Sequence, residues 1–186
     1  KPLVTRRSSL LFTHFGYSGP AAMDVSGAIT AADSLRDVRL MLDLVPSMSN
    51  SDVQAALGDR SQDGGRQRVS SVIGRWLPNR LATALVQQVG QDHTIAQLPR
   101  PALQELVERI KRLPLPVNGT RGFAKAEVTA GGVALSEVDP KTMASRIVDG
   151  LFIAGEVLDV DGHIGGYNFQ AAFSTGRAAG IAAASS

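Results

Sequence analysis

The 186-residue chain is 44% hydrophobic, and its 19 Lys and Arg residues nearly balance its 17 Asp and Glu residues. This composition favours a globular domain and excludes a strongly basic protein. The sequence contains no Cys, which excludes disulfides, thiolate nucleophiles and Cys-based metal sites. No apolar run approaches the roughly 20 residues of a membrane span and no signal peptide precedes the first predicted strand, so a cytoplasmic protein without a membrane or nucleic-acid partner is expected.

Strands and a short helix are predicted in residues 1–46. The apolar stretch 8–14 is a candidate strand that a turn follows. Pro20 suits the first turn of a helix, which Gly27 is expected to end. Residues 36–45 then alternate between apolar and polar side chains, the pattern of a strand with one buried face.

Helices are predicted in residues 47–116, where the apolar spacing changes from two to about three and a half residues. Asn50 or Ser51 is expected to cap the first of them, which ends near Leu57. Three further helices are predicted at 66–77, from Pro78 to Val89 and at 101–113. The last has the clearest apolar stripe, with charged residues elsewhere on the helix.

Strands are predicted again after Pro116. Residues 123–129 and 133–138 alternate, and Gly131 and Gly132 between them predict a hairpin turn. The region 117–148 therefore continues the strand-rich part of the chain.

The last region, 149–186, combines a predicted buried strand, a glycine pair and a helix. Residues 151–154 are apolar and bounded by glycines, as in a strand covered on both faces of a parallel sheet. Asn168 is a plausible N-cap of the final helix. Because Gly165 and Gly166 lack Cβ atoms, backbone N–H groups there can approach a ligand closely at the positive end of the helix dipole. The pattern predicts a site for an anion or an electron-rich ring edge.

Two strings in this region resemble flavoproteins. Gly-Leu-Phe-Ile-Ala-Gly-Glu at 150–156 is similar to the last strand of the FAD domain in glutathione-reductase-like flavoproteins. Gly-Glu-Val-Leu-Asp-Val-Asp-Gly-His-Ile-Gly-Gly-Tyr-Asn-Phe-Gln at 155–170 resembles the bacterial NAD(P)/FAD-dependent oxidoreductases that include aminoacetone oxidase and a bile-acid reductase. Strings at 10–20 and 126–143 extend the resemblance over most of the chain.

The resemblance implies an α+β fold with four segments. These are a β-barrel-like domain at 1–46 and 117–148, a helical insertion at 47–116, and at 149–186 the closing βα unit of a Rossmann-like FAD-binding domain whose N-terminal part is absent. It also implies that Glu156 or Asp159 hydrogen-bonds the ribityl or phosphate region of FAD, and that the helix start faces the N1–C2=O edge of the isoalloxazine. The implied cofactor-binding residues are Gly131, Gly132, Gly155, Glu156, Asp159, Gly165, Gly166, Tyr167 and Asn168. No catalytic residue can be assigned, no metal is expected, and NAD(P)H is an open alternative as reductant.

The pyrophosphate fingerprint Gly-x-Gly-x-x-Gly does not occur after any predicted strand. In the family that fingerprint lies in the N-terminal portion, so we expect this chain to be the C-terminal part of an FAD-dependent oxidoreductase with a small-molecule substrate. The chain alone is expected to be inactive and to need that N-terminal portion as its partner, or to self-associate through an uncovered strand. The alternative is a non-catalytic interaction or assembly module that binds no flavin.

Other residue groups have plainer explanations. The arginines at 60, 66, 68, 75 and 80 lack interleaved aromatic residues, so a solvated helical face is favoured over a nucleic-acid surface. His14, His93 and His163 are too scattered to predict a metal site, although His163 lies in the predicted cofactor loop. Pro20 stands where a serine nucleophile elbow needs its second glycine, which disfavours a serine hydrolase.

Overall fold

The computed structural model describes residues 3–61 and 63–186. The chain folds as two compact units: the loop unit, which contains the residues up to Leu35 together with Gly119–Ser186, and the helical unit, Arg36–Asn118. None of the helices in the described residues combines the length and apolar character that a membrane span needs.

The loop unit begins with a tight antiparallel hairpin and a helix. Strand β1 (Leu11–Thr13) pairs with β2 (Gly16–Ser18), and the rings of Phe12 and Tyr17 meet edge to face across the pair with centroids 5.8 Å apart. Helix α1 (Pro20–Thr30) follows at once, with proline in its first turn as predicted.

Loops, 3₁₀ turns and single β-bridges make up most of the remaining loop unit. The turns cover Phe123–Lys125, Leu135–Glu137 and Gly155–Val157. The bridges join Val133 to Leu158, Val138 to Ser145 and Ala144 to Phe152. Helix α6 (Tyr167–Ala183) follows, and its Ala178 and Ala179 pack against a small core of Val138, Met143 and Leu158.

Several predicted strands are not observed in the described part of the loop unit. Residues 123–129 contain a 3₁₀ turn, and 133–138 contribute only bridges, because positive φ angles at Gly131 and Gly132 direct the chain toward residues 157–159. The predicted buried parallel strand at 151–154 is not observed either. Its backbone makes one antiparallel bridge to the preceding segment, and Leu151 is 44% exposed.

Two predicted features at helix ends are corrected as well. Helix α1 continues past Gly27 to Thr30, and the Ala31 N–H and Thr30 hydroxyl both donate to the Gly27 carbonyl at 3.0 Å. The residue before α6 is Gly166 in a left-handed conformation, so Asn168 lies inside the first turn and is not the N-cap.

The helical unit packs four helices around one apolar core. These are α2 (Asn50–Gly58), α3 (Val69–Ile73), α4 (Asn79–Val89) and α5 (Arg100–Lys111). The largest fully buried side chains are Leu57, Ile73, Leu85, Leu106 and Ile110. Ile73, Leu85, Leu106 and Ile110 lie on predicted apolar stripes, and Leu57 lies near the predicted end of the first helix. The helices of this region are therefore confirmed, α3 being shorter than expected.

One short sheet accompanies these helices. Strand β3 (Leu40–Leu42) pairs antiparallel with β4 (Leu113–Leu115), a strand that the sequence did not predict because Pro114 lies at its centre. The strand expected at 36–45 is thereby reduced to three residues. The N-cap of α2 is Ser49, where Asn50 or Ser51 was expected. Antiparallel pairs together with helices confirm the α+β class, whereas the closing Rossmann-like unit remains a prediction.

Candidate cofactor site

The glycine-rich loop, residues 155–166, leads directly into α6. Gly165 and Gly166 have φ angles of +129° and +93°, which L side chains rarely adopt. A Cβ atom on Gly166 would meet nothing within 4 Å, so the space beside this backbone is open. Both glycines allow the turn, and Gly166 also leaves room for a ligand to approach the backbone closely, whereas the Tyr167 ring would lie 3.8 Å from a Cβ atom on Gly165.

The N terminus of α6 offers unpaired donors. In the part of the chain that the structure describes, the N–H groups of Tyr167, Asn168 and Phe169 make no hydrogen bond, and neither a capping side chain nor an acidic residue occupies the first turn. Such donors at the positive end of a helix dipole suit an anionic ligand. The residues present therefore fit the phosphate or the electron-rich ring edge of a nucleotide cofactor.

Asn168 holds the loop in place and does not cap the helix. Its Oδ1 accepts a hydrogen bond from the Gly162 N–H at 2.7 Å, and its Nδ2 donates to the Gly162 carbonyl at 3.0 Å. A Cβ atom at position 162 would make a tight contact with Asn168 Oδ1, at 3.0 Å. The amide therefore clamps the middle of the loop to the helix.

A second clamp, from α1, was not identified in the sequence. The Asp24 carboxylate accepts a hydrogen bond from the Ile164 N–H at 2.8 Å, and its other oxygen lies 3.9 Å from His163 Nδ1. The Asp24 side chain is only 9% exposed. The one signal available was an acidic residue within a predicted helix otherwise made of small and apolar residues.

Thr175 of α6 anchors the beginning of the loop. Its hydroxyl accepts a hydrogen bond from the Gly155 N–H at 3.0 Å and donates to the Ala171 carbonyl at 2.7 Å. Gly155 has a φ of +80°. Hydrogen bonds to Thr175, Asn168 and Asp24 thus hold the loop near its start, its middle and its end.

Gly131 and Gly132, predicted to form a hairpin turn and to bind the cofactor, lie against the glycine-rich loop. Asp159 Oδ1 accepts a hydrogen bond from the Gly131 N–H at 3.0 Å, and the Val133 N–H donates to the Val157 carbonyl at 2.8 Å. A Cβ atom on Gly132 would lie 2.5 Å from the Val157 carbonyl oxygen. Gly132 is therefore required by close backbone packing, and one oxygen of Asp159 is already used within the protein.

The Glu156 carboxylate remains available. Glu156 is exposed and accepts no hydrogen bond from any residue in 3–61 or 63–186. Of the two acidic residues predicted to reach the cofactor, Glu156 is thus the one whose acceptors are both free. Within the same residues no group of three His, Asp or Glu side chains could hold a metal ion.

Large apolar side chains lie exposed beside the loop. Phe169 and Phe173, one turn apart on α6, are 74% and 76% exposed, and Tyr167 is exposed as well. Residues i and i+4 share one face of a helix, so the rings of Phe169 and Phe173 lie on the same face of α6. Exposed patches of this kind usually mark an interaction surface.

Comparison with known proteins relates the chain to one family. Residues 1–128 match the family described as "HI0933-like protein barrel and H2TH domain". Two ribosomal RNA dihydrouridine synthases are each 37% identical: that of Haemophilus influenzae over 94% of this chain and 42% of its own length, and that of Escherichia coli over 91% and 40%. A 3-dehydro-bile acid delta(4,6)-reductase from Clostridium scindens is 33% identical over 98% of this chain and 45% of its own length.

The chain thus spans less than half the length of these curated relatives. A bile-acid reductase, one of the two enzymes named for the expected subfamily, is among them. No aminoacetone oxidase is among these three, so that finer relationship remains a prediction.

Proposed function

Since the chain belongs to the family of HI0933-like proteins with a barrel and an H2TH domain, we propose that it is part of an FAD-dependent oxidoreductase. One observation above all supports this proposal: the N–H groups of Tyr167, Asn168 and Phe169, unpaired in the described part of the chain, lie beside the open backbone of Gly166. When bound, FAD would supply the transfer of a hydride equivalent.

Each part of the loop has its own role in this proposal. Gly165 and Gly166 would let the cofactor approach the backbone, and the N–H groups in the first turn of α6 would stabilise negative charge on its N1–C2=O edge. Glu156 would accept hydrogen bonds from the hydroxyl groups of the ribityl chain. Asn168 and Asp24 keep the loop in the conformation that presents these groups.

The names of the relatives support a reaction class. Dihydrouridine differs from uridine by two hydrogens across a C=C bond that is conjugated to a carbonyl group. A 3-dehydro-bile acid with delta(4,6) unsaturation likewise has C=C bonds conjugated to its 3-oxo group. We propose that the whole protein reduces a C=C bond conjugated to C=O. A hydride is added to the β or remote δ carbon and a proton to an adjacent position, with a reduced nicotinamide as the two-electron donor.

Uridine in RNA is the first substrate that we propose, because two relatives at 37% identity are named for ribosomal RNA. A steroid-like enone is the second, on the strength of the bile-acid reductase. The described residues include no proton donor whose position assigns it to this reaction.

The rest of the FAD site is proposed to come from sequence outside these 186 residues. Within the described residues, the apolar core of the loop unit has three buried side chains, Val138, Met143 and Leu158, whereas the rings on α6 are exposed. An N-terminal portion of the same protein would cover this apolar face and complete the phosphate site. Without it we expect the chain to be inactive and to self-associate through the same face.

The reaction class can be tested with the full-length protein, excess NADPH and no oxygen. We expect mass spectrometry to show the gain of two hydrogens on a uridine in RNA or on a 3-oxo unsaturated steroid, and no gain without NADPH or NADH. A protein that holds FAD but reduces neither substrate would refute the reaction class and leave the flavin proposal in place. A protein that takes up no FAD would favour the non-catalytic interaction module.

A further inference from the structure

An asparagine followed by a glycine stands where the chain passes from the helical unit back to the loop unit. Asn118 is the last residue of the helical unit, and Gly119 is the first residue of the returning loop unit. Both residues are exposed, and neither lies in a helix or a strand. In such a loop the side-chain amide of an asparagine can react with the backbone nitrogen of the next residue.

The two reacting groups are free of other contacts. In residues 3–61 and 63–186 the Asn118 side chain makes no hydrogen bond, and the Gly119 N–H finds no acceptor. Gly119 has a φ of +144°, and a Cβ atom there would meet nothing within 4 Å. Because glycine has no side chain beside its nitrogen, the Gly119 nitrogen can reach the Asn118 amide carbon.

The other three asparagines of the chain are in different surroundings. Asn50 and Asn79 are the first residues of α2 and α4, and Asn168 lies in the first turn of α6. The helix fixes the backbone at each of them, and the following residue carries a side chain. The amide of Asn168 is also held at both ends by Gly162. The two conditions for attack on the side chain, a free backbone and a following glycine, therefore meet at Asn118.

We propose that Asn118 is a site of spontaneous deamidation. The Gly119 nitrogen attacks the Asn118 side-chain carbon Cγ and forms a new C–N bond. The bond from Cγ to the amide nitrogen breaks, the Gly119 N–H proton passes through solvent to that nitrogen, and ammonia leaves a succinimide ring. Water then opens the ring. Hydrolysis at Cγ gives aspartate, and hydrolysis at the backbone carbonyl gives isoaspartate. The sum consumes one water and releases one ammonia, without oxidation or reduction.

The products change the link between the two units. Both replace a neutral amide by a carboxylate, and isoaspartate adds one carbon to the backbone between residue 118 and Gly119. This reaction goes beyond the proposed function, because it needs neither flavin nor substrate. Its failure is therefore separate from failure of the flavin proposal.

The test is incubation of the full-length protein in mildly alkaline buffer, followed by digestion with trypsin and mass spectrometry. Trypsin releases residues 113–121, in which Asn118 is the one residue with a side-chain amide. The same digest releases residues 76–80, which contain Asn79 as an internal control. A synthetic peptide of sequence 113–121 gives the rate without the fold, and a sample digested before incubation gives the background.

We expect residues 113–121 to gain the mass of an amide-to-carboxyl exchange and to separate chromatographically into aspartate and isoaspartate forms. The rate should lie within about threefold of that of the synthetic peptide, or ~0.7 kcal/mol in activation free energy. Gly119→Ala crowds the attacking nitrogen and should slow the reaction about tenfold, or ~1.4 kcal/mol. Asn118→Gln keeps an amide but must close a larger ring, and should leave residues 113–121 unchanged. Circular dichroism melting checks that both variants remain folded.

Three results would overturn the proposal. The first is a rate at Asn118 no higher than that at Asn79, or far below that of the synthetic peptide, which would mean that the folded protein protects the amide. The second is an equal rate in Gly119→Ala, which would exclude attack by the Gly119 nitrogen. The third is aspartate without isoaspartate, since direct hydrolysis of the side-chain amide gives aspartate alone.

Discussion

The Asp24 carboxylate accepts a hydrogen bond from the Ile164 N–H at 2.8 Å, although the two residues are 140 positions apart in the sequence. This bond ties the glycine-rich loop to α1 within the loop unit. The loop therefore depends on a helix that carries none of the residues predicted to touch the cofactor.

Replacing Asp24 by alanine should release the loop. Because the Ile164 N–H loses a mostly buried acceptor, we expect about 1–3 kcal/mol of destabilisation and faster hydrogen exchange in residues 162–166. Asp24→Asn retains an oxygen that can accept the hydrogen bond from the Ile164 N–H. The backbone amides of residues 162–166 should therefore exchange nearly as slowly in this variant as in the original chain. Hydrogen exchange read by mass spectrometry makes this comparison, and equal protection in the alanine variant would refute the clamp.

Gly166→Val should weaken flavin retention in the full-length protein. The valine must adopt a φ near +93° and its side chain enters the open space beside the first turn of α6. Gly122→Val is the matched control, since Gly122 has a φ of +67° and also meets nothing within 4 Å. Both variants should lose about 1–3 kcal/mol of stability through backbone strain, but only Gly166→Val should lose FAD. Unchanged flavin content in purified Gly166→Val would contradict the assignment.

The glycine pair at 131 and 132 should respond unequally to alanine. A Cβ atom on Gly132 meets the Val157 carbonyl oxygen at 2.5 Å, whereas one on Gly131 meets nothing within 4 Å. Both positions have positive φ, so Gly131→Ala reports the strain alone, about 1 kcal/mol. Gly132→Ala adds a backbone collision and should cost roughly 1–3 kcal/mol more. Urea unfolding measures the difference, and equal midpoints would mean that the close approach is unimportant.

The capping box of α2 predicts a pH dependence for the helical unit. Hydrogen bonds from the Ser49 hydroxyl and N–H hold the pKa of Asp52 below its ordinary value of 3.8. A pKa lowered by folding contributes stability that is fully present above the unfolded value and is lost as the pH falls through the folded value. Ser49→Ala should cost about 1 kcal/mol at neutral pH.

Urea titrations at pH 7 and at a pH below the lowered pKa of Asp52 in the folded chain test this prediction. The stability difference between the original chain and Asp52→Asn should shrink at the lower pH, because the carboxylate is then protonated in both states. If the stability difference between the original chain and Asp52→Asn is the same at both pH values, ionisation of Asp52 is not its source.

The helices of the helical unit were predicted correctly from the sequence, whereas several strands of the loop unit were not. Both outcomes have physical causes. Leu85 and Ile110 lie on long apolar stripes, and a stripe of three or more turns defines a helix without knowledge of its partners. The stretches 123–129 and 151–154 are too short for alternation to distinguish a strand from a loop with a few bridges.

Within the candidate site, sequence identified the glycines and the start of α6 but not what holds them. Asp24 and Thr175 act through contacts with residues that are distant in the chain, which no local pattern reveals. Asn168 has the residue type of an N-cap, yet the left-handed Gly166 precedes the helix and frees the amide to bind Gly162.

The most direct test is the absorbance spectrum of the full-length protein, with the supernatant of the boiled sample compared against an FAD standard. Flavin absorbance and released FAD, both reduced in Gly166→Val but not in Gly122→Val, are the results expected if the glycine-rich loop and α6 bind the cofactor. A colourless protein that also fails to take up added FAD would contradict the flavoprotein assignment and leave the interaction module as the explanation for the exposed face of α6.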